Sequence, residues 1–142
     1  MSTLNVGTIQ NLSTLTASGQ VSVGGNLLMN SGYGSAATAY GCRAWVNFSG
    51  SAPSIRASGN VTSISKPGTG YYTVNFTTAM VDANYSVTAM ADGVYNGNIC
   101  SIGHGDSDNT GMASGSVRVE SRGGQGSGGA FDATYYCVAV FR

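Results

Sequence analysis

The 142-residue chain carries six basic and six acidic residues, no net formal charge, 8% charged residues and 42% apolar ones. Its cations, Arg43, Arg56, Lys66, Arg118, Arg122 and Arg142, are scattered along the chain, so no basic stripe exists to neutralise phosphates and nucleic-acid binding is excluded. Twenty-two glycines with few helix formers exclude long helices, and no stretch approaches the ~20 apolar residues of a membrane-inserted helix.

The length suits one core-bearing domain plus an appendage. Residues 1–41 supply apolar side chains one or two at a time, at Leu4, Val6, Ile9, Leu12, Leu15, Val21 and Val23 and then from Leu27 to Met29. So thin a segment cannot offset its own backbone ordering, which runs to roughly 1–2 kcal/mol per residue. Three copies wound about one axis would bury these residues together, and we read 1–41 as an extended, intertwined shaft for self-association and attachment. The opening MSTLNVGTIQ has neither the basic region nor the apolar run of a signal peptide, so synthesis and assembly are expected in a cytoplasm. SGYGSAATAY, Ser31 to Tyr40, is small and aperiodic and reads as a neck.

From Cys42 the grammar becomes that of antiparallel sheet, with runs at Cys42–Phe48, Ser54–Ser58, Asn60–Ser65, Tyr71–Thr77, Tyr85–Met90, Ser116–Glu120 and Thr134–Phe141. Asn98–Ile102 is a further candidate. Lys66-Pro67-Gly68-Thr69-Gly70 reads as a turn, as does Asp82-Ala83-Asn84. Alternation places Cys42, Ala44, Val46 and Phe48 on one face and Arg43, Trp45 and Asn47 on the other; Tyr72, Val74 and Phe76 form a second core face. In Tyr135–Phe141 both faces are apolar, so a second copy is expected to cover Tyr135 and Phe141, with Trp45 a further subunit contact. Val117 and Val119 against Arg118 and Glu120 read as a half-exposed strand. The expected fold is all-β: an antiparallel β-sandwich head over 42–142, preceded by the 1–41 shaft.

Several ordered strings in the head carry a resemblance: AWVNF, then IRASGNVTSIS, a Pro/Gly turn, GYYTVNFTTAM, DANYSV and the closing VAVFR. From Cys42 to Met90 the chain resembles the distal domain of bacteriophage tail fibres, particularly those of phages that infect cyanobacteria. The resemblance implies a β-rich, homotrimeric virion fibre that contacts a host surface. Expected partners are identical chains, other tail or virion proteins through the N-terminal segment, and a host glycan or protein.

Two glycine-rich segments, Ala91–Gly115 and Ser121–Phe131, read as long loops at sheet ends, where β-folds display binding groups. Tyr95, Asn96, Asn98, His104, Asp106, Asp108 and Asn109 in the first, with Arg122 and Gln125 in the second, are the candidate receptor contacts, since Tyr rings stack on sugars and Asn or Asp match hydroxyls. Asp106, Asp108 and Gly111 fit the first, third and sixth positions of a calcium loop, but Val117 stands at the twelfth, so no metal is expected. His104 is the only histidine, no G-x-S-x-G surrounds any serine, and the Gly123–Gly129 tract has no phosphate-binding lysine. The chain is read as a non-enzyme without cofactors. Cys42, Cys100 and Cys137 lack metal spacing and are expected as reduced, buried thiols. A tail fibre is the first reading; a capsid decoration or baseplate protein, or a lectin-like carbohydrate-binding module, stays open.

Overall fold

The computed structural model describes residues 18–29, 35–92, 99–103, 111–123 and 129–142. The chain divides into two units, Met1–Ala39 and Tyr40–Arg142. In the first, β1 (Leu28–Met29) and β2 (Ala37–Thr38) pair antiparallel, Leu28 opposite Thr38, and the Ala39 N–H extends the ladder to the Leu27 carbonyl at 2.8 Å.

The second unit contains β3 (Cys42–Ser49), β4 (Ser54–Gly59), β5 (Val61–Gly68), β6 (Tyr71–Phe76), β7 (Ser86–Ala91), β8 (Ile99–Ile102), β9 (Met112–Ala113), β10 (Ser116–Arg122) and β11 (Tyr136–Phe141). All pairings are antiparallel and no helix occurs among the described residues. One sheet runs β4-β3-β11-β7; the other runs β5-β6-β10-β8, with β9 also on β10. Their inner faces meet in one core, Ala44, Val46, Phe48, Tyr136, Val138 and Val140 from the first against Val61, Tyr72, Val74, Phe76, Val117 and Val119 from the second. This is a sandwich-like arrangement, and the period-2 alternation of apolar residues places each of these side chains inward. Phe48 stacks on Tyr136 at 4.8 Å between ring centroids, and Tyr72 meets both rings at 5.2 and 4.6 Å.

Three local expectations need correction. Cys42 does not share the face of Ala44: a bulge in β3 leaves Arg43 unpaired and sets Cys42 opposite Phe141, on the outer side. The turn expected at Lys66–Gly70 is shorter, because β5 continues through Pro67 to Gly68 and only Thr69 and Gly70 lie between it and β6. The edge position of β5 and a register shift between Ser65 and Gly68 accommodate the proline, which has no N–H to pair. Finally, Tyr85 precedes β7 rather than opening it; it is buried, its hydroxyl 2.9 and 2.8 Å from the Ala113 and Ser116 carbonyls, and burial raises its pKa.

The crossing from β4 to β5 depends on Asn60, whose φ is 56°. Its side-chain amide donates to the Arg43 and Thr78 carbonyls at 3.1 and 3.0 Å, and its carbonyl oxygen Oδ1 accepts from the Thr78 N–H at 2.8 Å. Asparagine tolerates the left-handed region better than other β-carbon-bearing residues, and here its side chain also ties the ends of three segments together. Asn60→Gly keeps the backbone and loses the bonds, whereas Asn60→Ala loses both. Thermal unfolding is expected to rank wild type above the glycine variant and the glycine variant above the alanine one, the last about 2–3 kcal/mol below wild type. Equal stability of the two variants would show that the backbone angle contributes nothing.

Candidate functional site

Antiparallel register puts the start of β6, the end of β10 and the start of β8 at one end of the head, which we call the Asp132 end. Adjacent strands set Tyr71 opposite Glu120, and alternation turns Arg118, Glu120 and Arg122 to the outer side. Arg122 donates Nη2–H to the Tyr71 hydroxyl at 2.7 Å, lies 5.9 Å from the Tyr71 ring centre, and pairs through Nε with the Glu120 carboxylate. Glu120 is therefore buried, not half exposed as alternation alone predicts. Arg122, a candidate receptor contact, is held in place with its side chain about half exposed; Tyr71, its anchor, escaped the sequence reading because it seemed only one more residue of a strand.

Beneath this surface lies a polar latch. Asp132 accepts from Lys66 Nζ at 2.6 Å, from the Gly70 N–H at 2.9 Å and from the Tyr72 hydroxyl at 2.6 Å. Burial opposes ionisation of the Asp132 carboxyl, but the Lys66, Tyr72 and Gly70 donors outweigh it and hold its pKa below the usual carboxylate value. Burial, with the Asp132 and Tyr136 contacts behind it, pushes the Tyr72 phenol far upward, so Tyr72 stays a neutral donor. Ser121 Oγ donates to the Phe131 carbonyl at 2.6 Å and touches the Tyr136 hydroxyl, which in turn accepts from the Ala133 N–H at 3.1 Å. These bonds position the segment 130–134 against β5, β6 and β10.

Of the other candidate receptor residues, Tyr95, Asn96, Asn98, His104, Asp106, Asp108, Asn109 and Gln125 lie outside the described residues. The residues that bracket them are described. Asp92 and Ile99 stand at the Asp132 end, where Ile99 pairs with Arg122 and Asp92 exchanges backbone and carboxylate bonds with Tyr135. Gly103 and Gly111 stand partway along β10, between its pairings with β8 and β9, joined to the carbonyl and N–H of Arg118 at 3.0 and 2.7 Å. Arg118 and Arg122 are four residues apart on one strand, about 13 Å.

The candidate subunit contacts divide similarly. Leu4, Val6, Ile9, Leu12 and Leu15 lie outside the described residues; Val21 and Val23, with Leu27, Leu28 and Met29, are each more than half exposed. Trp45, Tyr135 and Phe141 are exposed by 44, 49 and 38%, and Met90, which the sequence reading passed over, by 68%. Trp45 lies over Gly59, its directly opposed partner, with no room for a β-carbon there. Arg56 sits 4.1 Å above the Tyr135 ring and donates to the Thr134 carbonyl. At the other end an open groove of about 430 Å³ is lined by Tyr40, Asn84, Tyr85, Ser86, Phe141 and Arg142.

All three cysteines are free, but only Cys100 is substantially covered; Cys42 and Cys137 are exposed, contrary to the expectation of buried thiols. The bulge explains Cys42, and the outward parity of β11 explains Cys137, whose sulfur accepts from Asn47 Nδ2 at 3.1 Å. Among the described residues no group of three or more His, Cys, Asp or Glu side chains could hold a metal ion. Comparison with protein-family models, with curated proteins and with solved structures finds no match.

Proposed function

We propose that this protein is a structural virion component, a homotrimeric bacteriophage tail fibre that mediates adhesion to a host surface. Residues 1–41 form the intertwined shaft and the attachment to other tail proteins; 42–142 form the β-sandwich head that meets a host glycan or protein. The chain acts by binding rather than catalysis, needs no cofactor, and is assembled in the host cytoplasm into the virion. The resemblance of Cys42–Met90 to distal fibre domains supports the reading, and one observation carries it: Val21, Val23, Leu27, Leu28 and Met29 are all more than half exposed within a single copy. So dense an apolar run in water calls for identical neighbours.

Light scattering on the purified full chain is the test. A mass near three times the 14.4 kDa of one copy is expected; a single-copy mass at micromolar concentration overturns the reading. Antibody labelling of intact particles then separates the tail from the alternative position, since a capsid decoration protein would place label over the shell.

A further inference from the structure

The head has two unlike outer faces. On the sheet β5-β6-β10-β8 the outward rows include Ser65–Thr73–Arg118, Ser63–Asn75–Ser116 and Tyr71–Glu120–Ser101, and in these three the only large apolar ring is that of Tyr71. On β4-β3-β11-β7 they are Gly59–Trp45–Ala139–Thr88, Ala57–Asn47–Cys137–Met90 and the polar pair Ser54–Ser49, with Phe141 between Cys42 and Ser86, and with Tyr135 leading into β11 beside Asp92. The four strands of this second sheet contain no carboxylate. Of their two arginines, Arg56 is committed to Tyr135 and Thr134. Solvent does not select for such a surface when the opposite sheet of the same domain is hydrophilic.

We infer that the outer face of β4-β3-β11-β7 is where a second copy of this chain packs, leaving the Ser/Thr/Asn face of the other sheet turned outward. The inference rests on the homotypic reading above and adds which sheet meets the neighbour. Three observations select the occupant. Asp92, the carboxylate bordering this face, is bonded to Tyr135, and of the two arginines Arg56 is committed, so the face offers little to a strongly charged partner of either sign and suits an apolar surface such as its own copy. The area is sufficient: four strands at about 4.8 Å spacing and six residues at about 3.3 Å give a footprint of roughly 400 Å². Side-chain relief raises this to roughly 600–800 Å², near the share of about 800 Å² that each partner contributes to a standard interface. Moreover, Phe141 belongs both to this face and to the 430 Å³ groove beside Tyr40, which gives the surface a concave end to receive a neighbour's side chain.

Cys137, in the middle of the face, reports its burial. The full chain in its oligomeric form is treated with N-ethylmaleimide and labelling at each thiol is followed by peptide mass spectrometry. Cys100 is a poor competitor because burial pushes its thiol up to about 11. The reference is the thiol introduced by Ser65→Cys on the opposite face. Cys137 is expected to react at least tenfold more slowly than that reference, and Ala139→Arg or Met90→Lys, both outward substitutions that spare the core, should restore its rate. If the oligomer persists while Cys137 reacts as fast as the reference, the face is open and the inference falls, with the oligomeric reading intact. If the chain is a single copy in solution, both fall together.

Discussion

Gly50→Ala is expected to destabilise the head by about 3 kcal/mol, the upper part of the range for forcing one methylene into a filled interior. A β-carbon at this position would lie 2.5 Å from Tyr136 Cε2, 2.5 Å from the Tyr72 hydroxyl and 2.8 Å from the Ala133 carbonyl. None of the three can yield. The Tyr136 ring is stacked on Phe48 and its hydroxyl is bonded on the far side; the Tyr72 hydroxyl is fixed by the Gly50 carbonyl at 3.0 Å and by Asp132; the Ala133 carbonyl accepts from the Gly50 N–H itself at 3.0 Å. Gly115→Ala is the control, since nothing lies within 4 Å of a β-carbon there. Thermal unfolding followed by circular dichroism should show a midpoint lower by about 10 °C or more for the first variant and little change for the second. Similar midpoints for the two would mean that the packing around Gly50 relaxes without strain.

The contrast between these two glycines marks how far the sequence could be read. The core was legible wherever alternation was clean: Ala44, Val46 and Phe48 in β3, Tyr72, Val74 and Phe76 in β6, and Tyr136, Val138 and Val140 in β11 are all buried. Strand pairs too short to show a period, β1 with β2 and β9 on β10, left no signal. Alternation also fails at a bulge, which is why Cys42 was assigned inward, and on any strand where neighbours cover the outer side, which is why Glu120 was expected at half exposure. The latch was invisible for a different reason. Lys66, Asp132, Gly50 and Gly70 are up to 82 residues apart and converge only after both sheets have formed; no local spacing announces them.

The two faces of the sandwich bear on the site in the same way. Sequence alone identified Trp45, Tyr135 and Phe141 one by one as apolar residues on the wrong side of a strand. Only the register shows that β3, β11 and β7 lie side by side, so that Trp45, Ala139, Cys137 and Met90 form continuous rows. A scattered set of exposed apolar residues requires no explanation; a sheet-wide surface does. Conversely, Arg122 was chosen as a receptor contact for its place in a glycine-rich segment, and it is instead a strand residue, fixed by Tyr71 and Glu120. That fixation suits recognition, because less side-chain freedom is lost when a ligand binds.

Asp132→Ala is expected to loosen the end of the head that carries Arg122, lowering stability by about 2–3 kcal/mol, because three donors lose a charged acceptor while the partial exposure of the pair lets water replace part of it. The ionisation of Asp132 gives this prediction a pH signature. Its folded pKa is depressed below the unfolded value, so the stabilisation is fully present above the ordinary carboxylate pKa of about 4 and is lost as pH falls through the lower folded value. Asp132→Asn, which keeps the shape but removes the charge, provides the comparison. Denaturant unfolding of wild type and Asp132→Asn from pH 7 downward should give a gap that is constant above about pH 5, narrows below about pH 4, and closes once the wild-type carboxyl is protonated. Every other carboxyl is common to the two proteins, so narrowing of the gap reports Asp132. A gap that stays constant down to pH 2.5 would show that the charge on Asp132 is not what the three donors recognise, and the latch would then be a matter of shape.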